Sequence, residues 1–294
     1  MSPANEGGDL VLGAVAYDPK VVTIWDGFRA WLREQSLGFD YVLYSNYERQ
    51  ARELIAGRIG VAWNSPLAWV RARRIAAAGG VPLTPVLMRD TDRDLRSLVV
   101  VRADDPARSL TDLRGRVVGT GAVDSPQATL LPLSLLRSAG LRPEADVNVR
   151  RFDIGVGLHG DHIGGERDAA RALLAADPAD QVDAACLIDS NLLLFAREGI
   201  LPAGSVRVLA RTDPYDHCIM AAGPAAGEAA VTRFAALLLG MEYADPELRP
   251  LLDMEGLKQW LPPRLSGYAQ LERAVDESGF YDATGQIGAR DYRP

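Results

Sequence analysis

The 294-residue chain is sparing with the residue types that most often announce a function. Two cysteines, Cys186 and Cys218, are too few for a disulfide framework, and sequence alone does not pair them. Only Lys20 and Lys258 are lysine, so 30 of the 32 basic residues are arginine, a bias read most simply as genome composition. The 39 acidic residues leave a net charge of −7, without the basic footprint of a nucleic-acid-binding protein. Apolar runs such as 234–241 fall far short of the ~20 residues of a membrane span. The first eight residues lack a basic start, an apolar stretch and a small-residue cleavage site, and no cysteine there could carry a lipid. These absences lead us to expect a cytoplasmic protein with no membrane span and no nucleic-acid partner. There is no Walker A loop and no Gly-x-Ser-x-Gly elbow, and Gly155-Val156-Gly157 lacks the third glycine of a dinucleotide fingerprint.

What is present is an alternation of strand-length apolar runs with longer amphipathic stretches. Hydrophobic residues make up 48% and charged residues 24%, the balance of an ordinary globular chain. Strands are expected at 10–16, 41–44 and 59–63, with helices at 21–34, 47–56 and 67–77. A second set of strands follows at 98–101, 117–121, 147–152, 182–188 and 206–210. Helices are expected among them at 129–139, 166–176 and 190–197, with a short helical turn at 111–113. Three late helical segments lie near 227–241, 246–260 and 268–278. Such alternation predicts an α/β fold of βαβ units with mostly parallel sheets flanked by helices. The length suits two lobes, since one core seldom grows past ~250–300 residues.

The junctions where strands run into helices carry the functional reading. Asn64-Ser65-Pro66 puts Ser at a helix N-cap and Pro at the first helical position, and Asp124-Ser125-Pro126 repeats the arrangement. Asp189-Ser190-Asn191 is similar, and Gly164-Gly165 precedes a helix expected from Glu166. Free N–H groups and the positive end of the helix dipole make such starts ready anion sites. In an open parallel sheet they face the ligand crevice, so four could surround a small anion; ordinary capping is the alternative.

All three histidines fall in two predicted loops, His159 and His162 in one and His217 beside Cys218 in the other. Imidazole and thiolate suit zinc or another transition metal such as iron, with Asp161, Glu166 or Asp216 as oxygen donors. The same His162, His217 and Cys218 could serve acid–base or nucleophilic chemistry in an enzyme. Equally, a histidine could hydrogen-bond an anionic ligand while Cys218 packs in a strand. Cys186, within Ala184-Ala185-Cys186-Leu187, reads as a buried small hydrophobe.

Ordered motifs over roughly residues 10–220 give the chain a family likeness. They include Tyr17-Asp18-Pro19, Tyr47, the run from Gly60 to Leu67, Asp112-Leu113-Arg114-Gly115-Arg116, Asp124-Ser125, the run from Gly165 to Ala170, and Asp189-Ser190. The chain thereby resembles the phosphate/phosphite/phosphonate group of ABC-transporter substrate-binding proteins, which have the type II periplasmic-binding-protein fold. The resemblance implies two lobes, 9–97 with 213–294 and 98–212, and a cleft that closes by hinge motion on a tetrahedral oxyanion. By position it implies Tyr47, Ser65, Ser125, His162 and Asp189 as ligand-binding residues, and Tyr17, Asn64, Gln127 and Ser190 join them as neighbours. Ser125-Pro126-Gln127-Ala128 has fewer hydroxyls than the family's helix start, and the His159/His162 and His217-Cys218 pairs are unlike its usual pattern. The expected function is a cytosolic solute-binding or sensor protein for a small polar or anionic ligand. The alternative is an enzyme on the same fold acting on a small metabolite, with His159, His162, His217 and Cys218 converging on one point. The ligand is a small molecule, and the sequence names no transporter or biosynthetic partner.

Overall fold

A computed structural model describes residues 9–153 and 162–294. The first stretch runs β1 (Leu10–Val15), α1 (Lys20–Glu34), β2 (Phe39–Tyr44), α2 (Tyr47–Ile55), β3 (Val61–Asn64), α3 (Pro66–Gly79) and β4 (Thr84–Arg89). There follow β5 (Ser97–Arg102), β6 (Val117–Thr120), a π-helical turn at Pro126–Leu130, α4 (Leu131–Ser138) and β7 (Asn148–Arg151). The chain continues through α5 (His162–Leu173), β8 (Ala184–Ile188), α6 (Asp189–Arg197), β9 (Val206–Arg211) and β10 (Ile219–Ala222). It closes with α7 (Glu228–Leu239), α8 (Arg249–Glu255), β11 (Trp260–Leu261) and α9 (Ala269–Ser278).

Two sheets result, ordered β11-β4-β10-β3-β1-β2 and β7-β6-β8-β5-β9. Period-two alternation in buried strands builds a core on each face of a sheet. In β5, Val99 and Val101 join one core with Ala184 and Cys186, whereas Leu98 and Val100 join the other with Ala185 and Leu187. Cys186 is thus a buried small hydrophobe, and burial pushes its thiol up to about 12. On the first sheet α1 turns Val21, Ile24, Trp25, Phe28 and Leu32 inward at helical spacing.

Expectation and structure differ where long-range pairing decides. The sheets are mixed: β10 lies antiparallel between β3 and β4, and β5 antiparallel between β8 and β9. Strands β4 and β10 were missing from the sequence reading. Pro85 in β4 masks a strand, and it is accommodated where the β4–β10 register shifts beside Met220 and Ala221. The helix expected over 246–260 shrinks to α8, because Gly256 takes a left-handed φ of 82° and Trp260 begins a strand. Helix α5 starts before Gly164-Gly165 rather than after it. A Cβ on Gly165 would lie 2.5 Å from the Phe152 carbonyl oxygen, so glycine there permits the close approach of α5 to β7.

Two segments, 90–96 and 212–218, carry the chain between the sheets and run antiparallel to each other. Leu95 N–H donates to Tyr215 O (3.0 Å), Tyr215 N–H to Leu95 O (2.8 Å), and His217 N–H to Asp92 O (2.8 Å). Between the sheets, Leu67 and Val70 of α3 share one apolar cluster with Leu130, Leu131, Ile188 and Tyr215. Phe280, Tyr281 and Tyr292, after α9, complete that cluster. No helix among the described residues is long and apolar enough to cross a membrane.

Candidate functional site

The matched serines cap helices on different sheets. Ser65, at the end of β3, accepts the Ala68 N–H on its hydroxyl (3.2 Å), with Pro66 at the first helical position. Ser125, after β6, accepts the Ala128 N–H in the same way (3.2 Å), again followed by Pro. Ser125 is fully buried and Ser65 nearly so. The second junction begins with a π turn, in which both Thr129 and Leu130 donate to the Ser125 carbonyl (3.2 and 3.0 Å). Such turns leave backbone groups off the regular ladder and recur at functional sites. Gln127 is buried inside the turn, and its Oε1 has no hydrogen-bond partner among the described residues. The first turns of α3 and α4 meet in one apolar cluster, which brings the two caps to the junction of the sheets.

Other expected ligand residues hold structural positions. Asn64 is buried and donates to the carbonyls of Ala62 (3.1 Å) and Ile219 (3.3 Å), tying β3 to β10. Asp189 and Ser190 are the first residues of α6, whose N-cap is Ile188, so this start lacks the side-chain cap of the other two. Instead Asp189 Oδ1 accepts the Ser190 N–H (2.9 Å).

Tyr17 and Tyr47 face a second group of residues inside the first sheet's lobe. Burial, with the Glu255 carboxylate and then Cys218 adding to it, pushes the Tyr17 phenol up to about 12. Burial likewise raises Tyr47 well above its ordinary value, helped by Cys218 and Tyr17. Around them Arg89 forks onto Asp92 (Nε to Oδ2 2.6 Å, Nη2 to Oδ1 2.9 Å) and donates through Nη1 to the Glu255 carbonyl (2.8 Å). Its guanidinium also lies over the Trp63 ring, 5.1 Å from the centroid. Burial pushes the Asp92 carboxyl up, but Arg89 and His217 outweigh it and hold it at about 2. Glu255 behaves oppositely: burial raises it to about 7 against the pull of Arg89.

His217 and Cys218, expected together, are together. His217 Nδ1 lies 3.2 Å from Cys218 Sγ and 3.6 Å from Asp92 Oδ1, and Cys218 N–H donates to Asp92 Oδ1 (3.2 Å). Burial, then Asp92, pushes the Cys218 thiol well above its ordinary value. His159 lies outside the described residues, as does Asp161; His162 is the first residue of α5. The two remaining acidic donor candidates are otherwise engaged. Asp216 is locked by Arg264, and Glu166 Oε2 accepts from Ile188 N–H and Asn191 Nδ2 (both 2.8 Å). Sequence reading missed Arg89, Asp92 and Glu255: Arg89 and Asp92 belong to the charged run 89–94, in which neither stands out, and Glu255 is one acid among many.

Comparison with known proteins agrees with this architecture. The model of the family described as "ABC transporter, phosphonate, periplasmic substrate-binding protein" matches residues 14–268. Among solved structures, PhnD1 from Prochlorococcus marinus in complex with methylphosphonate superposes with a TM-score of 0.64 at 18% identity, covering 91% of this chain and 97% of that one. A Xanthomonas citri protein bound to ATP gives 0.68 at 19%, covering 92% and 98%. A binding-protein component of a phosphonate ABC transporter from Pseudomonas aeruginosa gives 0.59 at 12%, covering 92% and 95%. At these identities the likeness is one of fold. A search of curated proteins finds no match. The family model spans most of the sequence, and the chain belongs to the periplasmic substrate-binding proteins of phosphonate ABC transporters.

Proposed function

We propose that the chain binds a small tetrahedral oxyanion, such as a phosphonate, between its two sheets and closes on it by motion about segments 90–96 and 212–218. The observation that carries this reading is the pair of buried Ser-Pro helix starts at Ser65 and Ser125, one on each sheet. Each offers a hydroxyl proton and a first-turn backbone N–H, that of Leu67 or Gln127, to an anion, since proline precedes it and the next N–H is bonded to the serine. Membership of the family supports the ligand class, and the methylphosphonate held by the Prochlorococcus relative supports the choice of probe. Tyr17, Tyr47, Gln127 and the start of α6 belong to the proposed wall, and His162 stands at the start of α5. The lobes of the proposal are 9–97 with 213–294 and 98–212, and its setting is the cytoplasm. Catalysis by Cys218 has less support, because burial raises its thiol well above the ordinary range, the opposite of what activates a nucleophile.

Titration calorimetry with methylphosphonate and with inorganic phosphate tests the placement. Ser65→Ala and Ser125→Ala should each weaken binding by about 1–2 kcal/mol, the loss of one hydrogen bond to a charged ligand. Unchanged affinity in both folded variants would remove the anion from these helix starts.

A further inference from the structure

We infer that Asp92, His217 and Cys218 form a binding site for a divalent transition metal of the zinc class, located where the two inter-sheet segments run side by side. This inference goes beyond anion binding and does not depend on it. The three donor atoms already lie within 4.8 Å of one another. In tetrahedral zinc sites metal–nitrogen and metal–oxygen distances of ~2.0 Å and metal–sulfur of ~2.3 Å require neighbouring donors roughly 3.3–3.6 Å apart. Here Nδ1 to Sγ is 3.2 Å and Nδ1 to Oδ1 is 3.6 Å, close to those spacings, and Sγ lies within 4.8 Å of the carboxylate oxygen, a gap that an ion would draw in.

A divalent ion would be balanced by the Asp92 carboxylate and the Cys218 thiolate, while Arg89, which forks onto Asp92, has the Glu255 carboxyl as a second partner at 3.4 Å. Binding replaces the thiol proton, which leaves to solvent, and Nδ1 coordination places the imidazole proton on Nε2. Arg89 fixes the plane of the Asp92 carboxylate, and the Tyr268 hydroxyl donates to the His217 carbonyl (2.8 Å), holding the backbone that carries the other donors. Asp92 and Cys218 are buried, whereas the His217 side chain is 21% exposed. Three protein donors leave a fourth position for water or an oxyanion on that open side. Since Asp92 comes from one inter-sheet segment and His217 and Cys218 from the other, the ion would also join the two segments.

The test uses the untagged full chain and cobalt(II) or zinc(II) alone. Cobalt titration should produce a near-ultraviolet thiolate-to-metal charge-transfer band at one equivalent, and zinc should abolish it. Cys218→Ser should lose the band, His217→Ala should bind at least ~10-fold more weakly, and Cys186→Ser should behave as wild type. In the wild-type protein zinc should also protect one thiol from a thiol reagent under partial denaturation, a readout that needs no variant. No charge-transfer band and no protection in folded wild-type protein would overturn the site, as would an undiminished band in Cys218→Ser. Phosphonate affinity measured on the same samples stands or falls separately.

Discussion

Glu255 shows how a single residue registers its surroundings. Its carboxyl sits at about 7 in the folded protein because burial disfavours the charged form more strongly than Arg89 favours it. A carboxyl raised on folding binds its proton more tightly in the native state. Its contribution is therefore complete below its ordinary value of 4.5 and is lost as pH rises through about 7. Glu255→Gln should remove this dependence: the stability gap between wild type and variant, followed by urea unfolding, should shift by up to about 3 kcal/mol between pH 4 and pH 8. A gap that stays constant over that range would mean Glu255 keeps an ordinary carboxyl. Nothing local in the sequence marks this residue, because Arg89 and Asp92, which define its role, are more than 160 residues away. His217-Cys218 was legible as a donor pair because both residue types are rare in the chain. Asp92 was not, since one acid among 39 becomes conspicuous only when the fold brings it to a histidine and a thiol.

At the scale of elements, the caps were readable and the strand pairings were not. Ser65 and Ser125 announce helix starts because a hydroxyl N-cap followed by Pro is a local, physically determined pattern. Ser65→Ala should cost about 1 kcal/mol of stability through the lost Ala68 N–H contact, measurable by denaturant unfolding without ligand. No change would mean that water replaces the cap. Strands β4 and β10 escaped notice because their antiparallel partners are supplied by remote chain, and Asp189-Ser190 failed as a cap because Ile188 holds that position. The segment after α9 was equally silent in sequence. Arg71 Nε donates to Gly285 O (2.9 Å), Arg74 Nη1 to Tyr281 O (2.9 Å), and the Tyr281 hydroxyl to the buried Glu48 carboxylate at the start of α2 (2.6 Å). Gly285 is required twice over, by a φ of 79° and by a Cβ that would lie 2.7 Å from Ile75. Tyr281→Phe removes a donor from a buried carboxylate and should destabilise the protein by about 1–3 kcal/mol. An unaltered urea midpoint would show that Glu48 finds another donor.

For the molecule as a whole, the alternation of strands and helices made the α/β class legible and the family likeness implied the type II binding-protein fold, while the antiparallel pairings of β5 and β10 were not foreseen. What sequence could not give is the pair of antiparallel segments joined at Leu95 and Tyr215, because their adjacency depends on both sheets being complete. In the proposed closure the sheets move as bodies about those segments, against the shared apolar cluster that α9 and the chain beyond it complete. An anion held by Ser65 on one side and Ser125 on the other would draw the sheets together. The most direct test is small-angle scattering of the untagged protein with and without saturating methylphosphonate, on samples whose binding has been measured by calorimetry. The account predicts a smaller radius of gyration with ligand in wild type, and a loss of that compaction in Ser65→Ala/Ser125→Ala at the same ligand concentration. Tight binding with identical scattering profiles, or equal compaction in the double variant, would contradict it.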